Sequence, residues 1–229
     1  MKTIPTVLKL SSAIKLLLLG GLISLSACME KQVINAEFIL GNPDYPAIAY
    51  GGYRYNERSK APSIEDIKED LLILDAMGIR VLRTYHTRLY EHAPNLLQAI
   101  KETKAENPEF EMYVMLGAWM QCEGAWGGNP NHNKADQEEN DAEIAKAIAL
   151  AKAYPDIVKV IAVGNESMVH WAAGYFVHPR IILEEVNHLQ ELKSKGALAA
   201  DLWITSSDNF ASWGGAEQVY HLEALDSLI

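Results

Sequence analysis

Asn165 and Glu166 stand directly behind an apolar run, residues 157–163, that only Lys159 interrupts. Gly164 ends the run. The pair therefore falls where a buried parallel strand would give way to its βα loop, the end that carries the chemistry in α/β barrels. A carboxyl fixed on a rigid strand tip among aromatic neighbours would keep its proton near neutral pH and could donate it as a general acid. The same residues would also serve as a helix cap or an ion-pair partner, and the dipeptide alone leaves that open. Tyr50, Arg83, Tyr85, Trp119, Trp171, Asp208 and Asn209 follow comparable runs and are candidates to line a cleft, each with a packing role as the alternative. Asp208 is the only other carboxylate at such a strand tip; Glu123 reads as a solvated loop charge.

The elements that must position these residues alternate. Residues 48–50 form a short apolar run before Gly51-Gly52. Pro62-Ser63 then opens a helix in which Ser63 caps and Asp66 answers three residues later, with Ile64, Ile67, Leu71 and Leu74 along one face. Met77-Gly78 ends it. A strand at 79–82, a helix at 94–105, a strand at 112–116 and a long loop at 118–133 follow. Asn140 with Glu143 reads as a second capping box, starting a helix that stops before Pro155. After the central strand come a helix from Pro179 to about Gly196, a strand at 202–205, a helix at 217–225 and the start of a sixth strand at 226–229. Five strand–helix units of this kind argue for an α/β fold of the (β/α)8 TIM-barrel type, incomplete in this chain, over a doubly wound sheet.

Several chemistries lack their signatures. No Gly-x-Gly-x-x-Gly follows the first strand, and there is no Gly-x-Ser-x-Gly elbow or His-Glu-x-x-His. The seven histidines are scattered without metal-ligand spacing, so neither a metal nor a cofactor is expected.

The stretch Ile-Ala-Val-Gly-Asn-Glu, 161–166, resembles the fourth-strand motif of glycoside hydrolase family 17, retaining β-1,3-glucanases and related transglycosylases on a (β/α)8 barrel. Ala-Ile-Ala-Tyr-Gly at 47–51, Val-Leu-Arg-Thr-Tyr at 81–85 and Val-Met-Leu-Gly at 114–117 are similar to its first three strands. The resemblance implies a retaining hydrolase of laminarin-like β-1,3-glucan. It makes Glu166 the acid/base and Asn165 the hydrogen-bond partner of the sugar 2-hydroxyl. Trp119, Trp126, Trp171 and Trp213 follow strands three, four and five and would share the catalytic rim, where aromatic faces suit the C–H side of sugar rings. A retaining enzyme needs a second carboxylate about 5 to 5.5 Å away; in this family it comes from the seventh strand, so the nucleophile is expected beyond residue 229. Transglycosylation at the same site, or a non-catalytic glycan-binding lipoprotein, are the alternatives.

The N-terminus reads separately. Lys2, Lys9 and Lys15 precede an apolar stretch, 16–23, too short to span a bilayer, and Leu25-Ser26-Ala27-Cys28 resembles the bacterial lipobox. Residues 1–27 are thus expected to be a lipoprotein signal peptide, Cys28 the lipidated residue, 28–46 a tether and 47–229 the barrel part. That places the protein on the cell envelope, held to a membrane by its lipid. Removing 1–27 takes three lysines and no acidic group, moving the formal charge from −10 to −13, which makes nucleic acid and anionic membrane surfaces poor partners, so no nucleic acid is expected. Cys122 would then be a lone, incidental loop thiol, no disulfide is expected, and a monomer is the default.

Overall fold

A computed structural model describes residues 34–214, and these hold seven strands and six helices. Five strands, β1 (Ala47–Ala49), β2 (Val81–Arg83), β3 (Tyr113–Ala118), β6 (Val158–Asn165) and β7 (Trp203–Ser207), form one sheet in the order β1-β2-β3-β6-β7. Every neighbouring pair is parallel. The order rises along the chain without reversing. A doubly wound sheet would reverse and carry helices on both faces, whereas right-handed crossovers stepping always in one direction put every helix on the same face. The remaining strands, β4 (Cys122–Glu123) and β5 (Asn131–Ala135), pair antiparallel as a separate hairpin.

The crossover helices are α2 (Ile64–Ala76), α3 (His92–Glu106), α4 (Gln137–Ala153) and α5 (Pro179–Ser194). The start of α2 follows from its sequence: Ser63 Oγ accepts the Asp66 N–H at 3.1 Å, and an Asp66 carboxylate oxygen accepts the Ser63 N–H at 3.0 Å. Its buried residues are Ile67, Leu71 and Leu74. Met77 caps it, and Gly78 turns the chain out with φ +79°. All eight residues of β6 are buried, including Lys159, whose ammonium donates to the Pro155 carbonyl at 3.1 Å. These apolar surfaces merge into one core spanning sheet and helices.

Three expectations change. Helix α4 starts earlier than expected, capped by Asp136, so Asn140 and Glu143 are not a capping box but buried residues on the helix. Residues 34–46 are not a simple tether: Asn35 caps the short helix α1 (Ala36–Ile39), and Ile39 packs with Val81 and Tyr113, the first residues of β2 and β3. Apolar side chains at that end of the sheet would otherwise face water. Cys122 is a free thiol but a fully buried one, packed in the core at the base of the hairpin. The helix expected at 217–225, the strand at 226–229, the signal peptide and Cys28 lie outside the described residues.

Candidate active site

Strand β6 does not end straight. Gly164 has φ +78° and Glu166 φ +52°, and the pairing register with β7 shifts between Val163 and Asn165. A left-handed non-glycine residue costs on the order of 1–3 kcal/mol and persists only where its surroundings hold it. Here the Glu166 N–H donates to the Ser207 carbonyl at 3.1 Å, pinning the bend to the end of β7. The loop beyond is held by Asp208, whose carboxylate accepts the Met168 N–H at 2.7 Å and the Asn209 N–H at 2.8 Å. Burial raises the Asp208 carboxyl, and the nearby Glu166 charge adds to the rise, while these N–H donors pull it back.

The bend leaves Asn165 buried and the Glu166 side chain exposed in a cavity of about 560 Å³ at the carboxyl ends of the strands. The sequence led us to expect a carboxyl desolvated by aromatic neighbours; among the described residues it is open instead. Arg83, at the end of β2, donates through Nη2 to Asn165 Oδ1. A guanidinium has only donors, so this contact fixes the amide orientation: oxygen toward Arg83, the NH2 group away from it. Arg83 also lies 5.3 Å from the centre of the Tyr85 ring, another cavity residue. Close passage of β3 beside β2 at this end requires Gly117. A Cβ there would sit 2.3 Å from the Thr84 carbonyl oxygen, and Thr84 Oγ1 accepts the Gly117 N–H at 3.0 Å.

Glu143, on α4, supports the cavity floor. Its carboxylate accepts backbone N–H groups from Thr87, Arg88 at 3.1 Å and Trp119 at 3.0 Å. One side chain therefore ties the loop after β2 to the loop after β3. Burial pushes its carboxyl up, against the pull of those donors. On one wall Trp119 meets Trp126 at 6.2 Å and nearly parallel, with Tyr175 edge-on to both. On the other, Tyr53 lies over His92 at 4.9 Å, and His92 meets His86 edge-on at 6.1 Å. Burial, with the neighbouring His92 and Arg58, pushes His86 down to about 4, so it faces the cavity as a neutral imidazole.

Of the residues singled out from sequence, Asn165, Glu166, Tyr85, Trp119 and Trp126 line this cavity, and Arg83 touches it through Asn165. Tyr50 does not: its hydroxyl donates to Asp70 at 2.7 Å, on α2. Trp171 is exposed and stacks edge-on with His170 outside the cavity lining. Asp208 is committed to backbone N–H groups, and Asn209 caps the short helix α6 (Phe210–Gly214) by accepting the Ala211 N–H at 2.9 Å. Trp213 packs against the core. Glu123 is exposed and paired with Lys134, as a solvated loop charge would be. Glu143, Tyr175 and His86 were missed. The polar run Arg83-Thr84-Tyr85-His86 at a strand end was a usable signal for His86 alone. Among the described residues no group of three or more His, Cys, Asp or Glu could hold a metal.

No family model matches the chain, and no curated protein does. A solved structure does: the crystal structure of an endo-laminarinase from Formosa Hel1_33_131 aligns with a TM-score of 0.81 and 59% sequence identity, covering 86% of this chain and 50% of that one. The chain thus spans about half the length of that relative.

Proposed function

We propose that this chain is the N-terminal part of a retaining β-1,3-glucan hydrolase of the family 17 type, its five parallel strands the first five of a (β/α)8 barrel. The observation that carries the reading is the cavity in which Glu166 stands next to an asparagine locked by Arg83 and an aromatic wall. The 59% identity to an endo-laminarinase supports the substrate class. Glu166 protonates the glycosidic oxygen as the bond breaks. A second carboxylate, on a later strand beyond residue 229, attacks the anomeric carbon to form the glycosyl-enzyme. Glu166 then takes a proton from the water that hydrolyses it. Asn165 donates its amide N–H to the sugar 2-hydroxyl. The envelope location and the lipid on Cys28 belong to the same proposal and rest on the Leu25–Cys28 motif.

The test is Glu166→Gln in the complete enzyme. Turnover of laminarin should fall by about 10²- to 10⁴-fold with binding retained. An activated aryl glycoside needs little protonation to leave, so its first step should be spared and azide should rescue the second. Undiminished laminarin hydrolysis by Glu166→Gln would refute the mechanism, and products longer than the starting chain would assign transfer in place of hydrolysis.

A further inference from the structure

Between β3 and α4 the chain makes an excursion that a βα turn does not need, the β4–β5 hairpin. It is fastened at its base and along its far strand. On α4, Asn140 accepts the Gln121 N–H at 2.9 Å and donates back to the Gln121 carbonyl at 2.9 Å. The His132 carbonyl accepts the His178 N–H at 3.0 Å, and Arg180 donates to the Asn133 carbonyl at 3.2 Å. The hairpin is therefore tied to the segment that follows Glu166.

What the hairpin presents is Trp126. This residue is 66% exposed, yet its ring is held by four neighbours, Gln121, Gly174, Trp119 and Tyr175. Its indole N–H donates to Gln121 Oε1 at 3.0 Å. One ring edge abuts Gly174, where an added Cβ would stand 3.0 Å from it. Trp119 lies 21° from parallel to it, and Tyr175 meets it edge-on at 5.8 Å. Ordering a side chain on binding normally consumes affinity; a ring already fixed loses little more. A ligand that covers Trp126 would gain apolar contact without that loss.

We propose that Trp126, backed by Trp119 and Tyr175, is a subsite for a glucosyl unit of the substrate chain other than the unit whose bond is cleaved, and that the β4–β5 hairpin holds it there. A β-linked glucopyranose carries its axial C–H groups on its faces and its hydroxyls around its rim. A flat indole at the cavity wall takes the C–H face and leaves the rim to polar groups. The subsite rests on the reading of this cavity as a β-1,3-glucan site.

The test compares kcat/KM of the complete enzyme and its Trp126→Ala variant on a long and a short β-1,3-linked oligosaccharide. Trp126→Ala should lose about tenfold on the long chain, through KM, and stay within about twofold on the short one. Gly174→Val, which displaces the ring without deleting it, should shift the same ratio less. Equal losses on both lengths, or no loss on either, would overturn the subsite. Titration calorimetry with the long chain separates the two readings. Wild type that binds it about tenfold more tightly than Trp126→Ala but turns nothing over retains the subsite and sinks the hydrolase. Equal binding by the two proteins overturns the subsite itself.

Discussion

Replacing Glu143 by glutamine measures how firmly the cavity floor is tied together. The substitution keeps the shape of the side chain and removes one acceptor. Thr87 and Trp119 donate to the same carboxylate oxygen, Oε1, and Arg88 to the other, Oε2. With the amide oxygen at the Oε1 position the first two bonds survive as neutral ones. The amide NH2 group then faces the Arg88 N–H, donor against donor. A buried donor left without a partner costs about 1–3 kcal/mol. Arg88 is itself exposed, so water can reach its side of the pair and the lower half of that range applies. In the complete enzyme, about 1–2 kcal/mol lowers the melting temperature by at most roughly 2–8 °C, the range for a folding unit of about 150–250 residues. Thermal unfolding followed by circular dichroism across a pH series reads both size and sign. Because burial raises the Glu143 carboxyl in the folded protein, its proton is held more tightly there than in the unfolded chain. Its contribution is then full below the unfolded value, about 4.3, and fades as pH climbs through the raised folded value. Glutamine does not titrate. The advantage of wild type over Glu143→Gln should therefore shrink as pH rises above about 4.3. An advantage that grew with pH would show that the N–H donors outweigh burial, and equal melting temperatures at every pH would refute the tie altogether.

Gly117→Ala should be worse than its single methyl suggests, because the Cβ would meet the Thr84 carbonyl at 2.3 Å and backbone atoms of two paired strands cannot step aside. A loss of about 1–3 kcal/mol is expected by denaturant unfolding, and an unchanged midpoint would show that β2 and β3 lie farther apart at this end. Cys28→Ala should release the protein from the membrane fraction into the soluble one; membrane association that survives the substitution would refute the lipid anchor.

Much of the scaffold was legible in the sequence because its signals are local. The Ser63–Asp66 capping box, the glycines at 78 and 196 and the apolar run that became β6 each act through neighbours a few residues away. Where a local signal had a competitor, it misled. Asn140 and Glu143 have the spacing of a cap, but Asp136 lies one turn earlier and caps the helix, leaving the later pair buried beneath the cavity, where they hold the loops after β2 and β3. The aromatic residues show the same limit. Trp119, Trp126, Trp171 and Trp213 all follow strands, yet the first two line the cavity and the last two do not, since a position after a strand sets the end of the sheet and not the direction of a ring.

The sequence by itself determined that Asn165 and Glu166 stand at the end of a buried strand, because a short apolar run rich in Val and Ile and ended by glycine suits a strand covered on both faces. Only the tertiary structure decided what surrounds them. Glu143 meets Thr87 and Trp119 across 56 and 24 residues of chain, and Arg83 meets Asn165 across 82. Such contacts depend on which strands lie side by side and in what register. Hydrophobic periodicity assigns a residue to a face, but the neighbour across that face is set by the pairing of β2, β3 and β6, which no local stretch encodes.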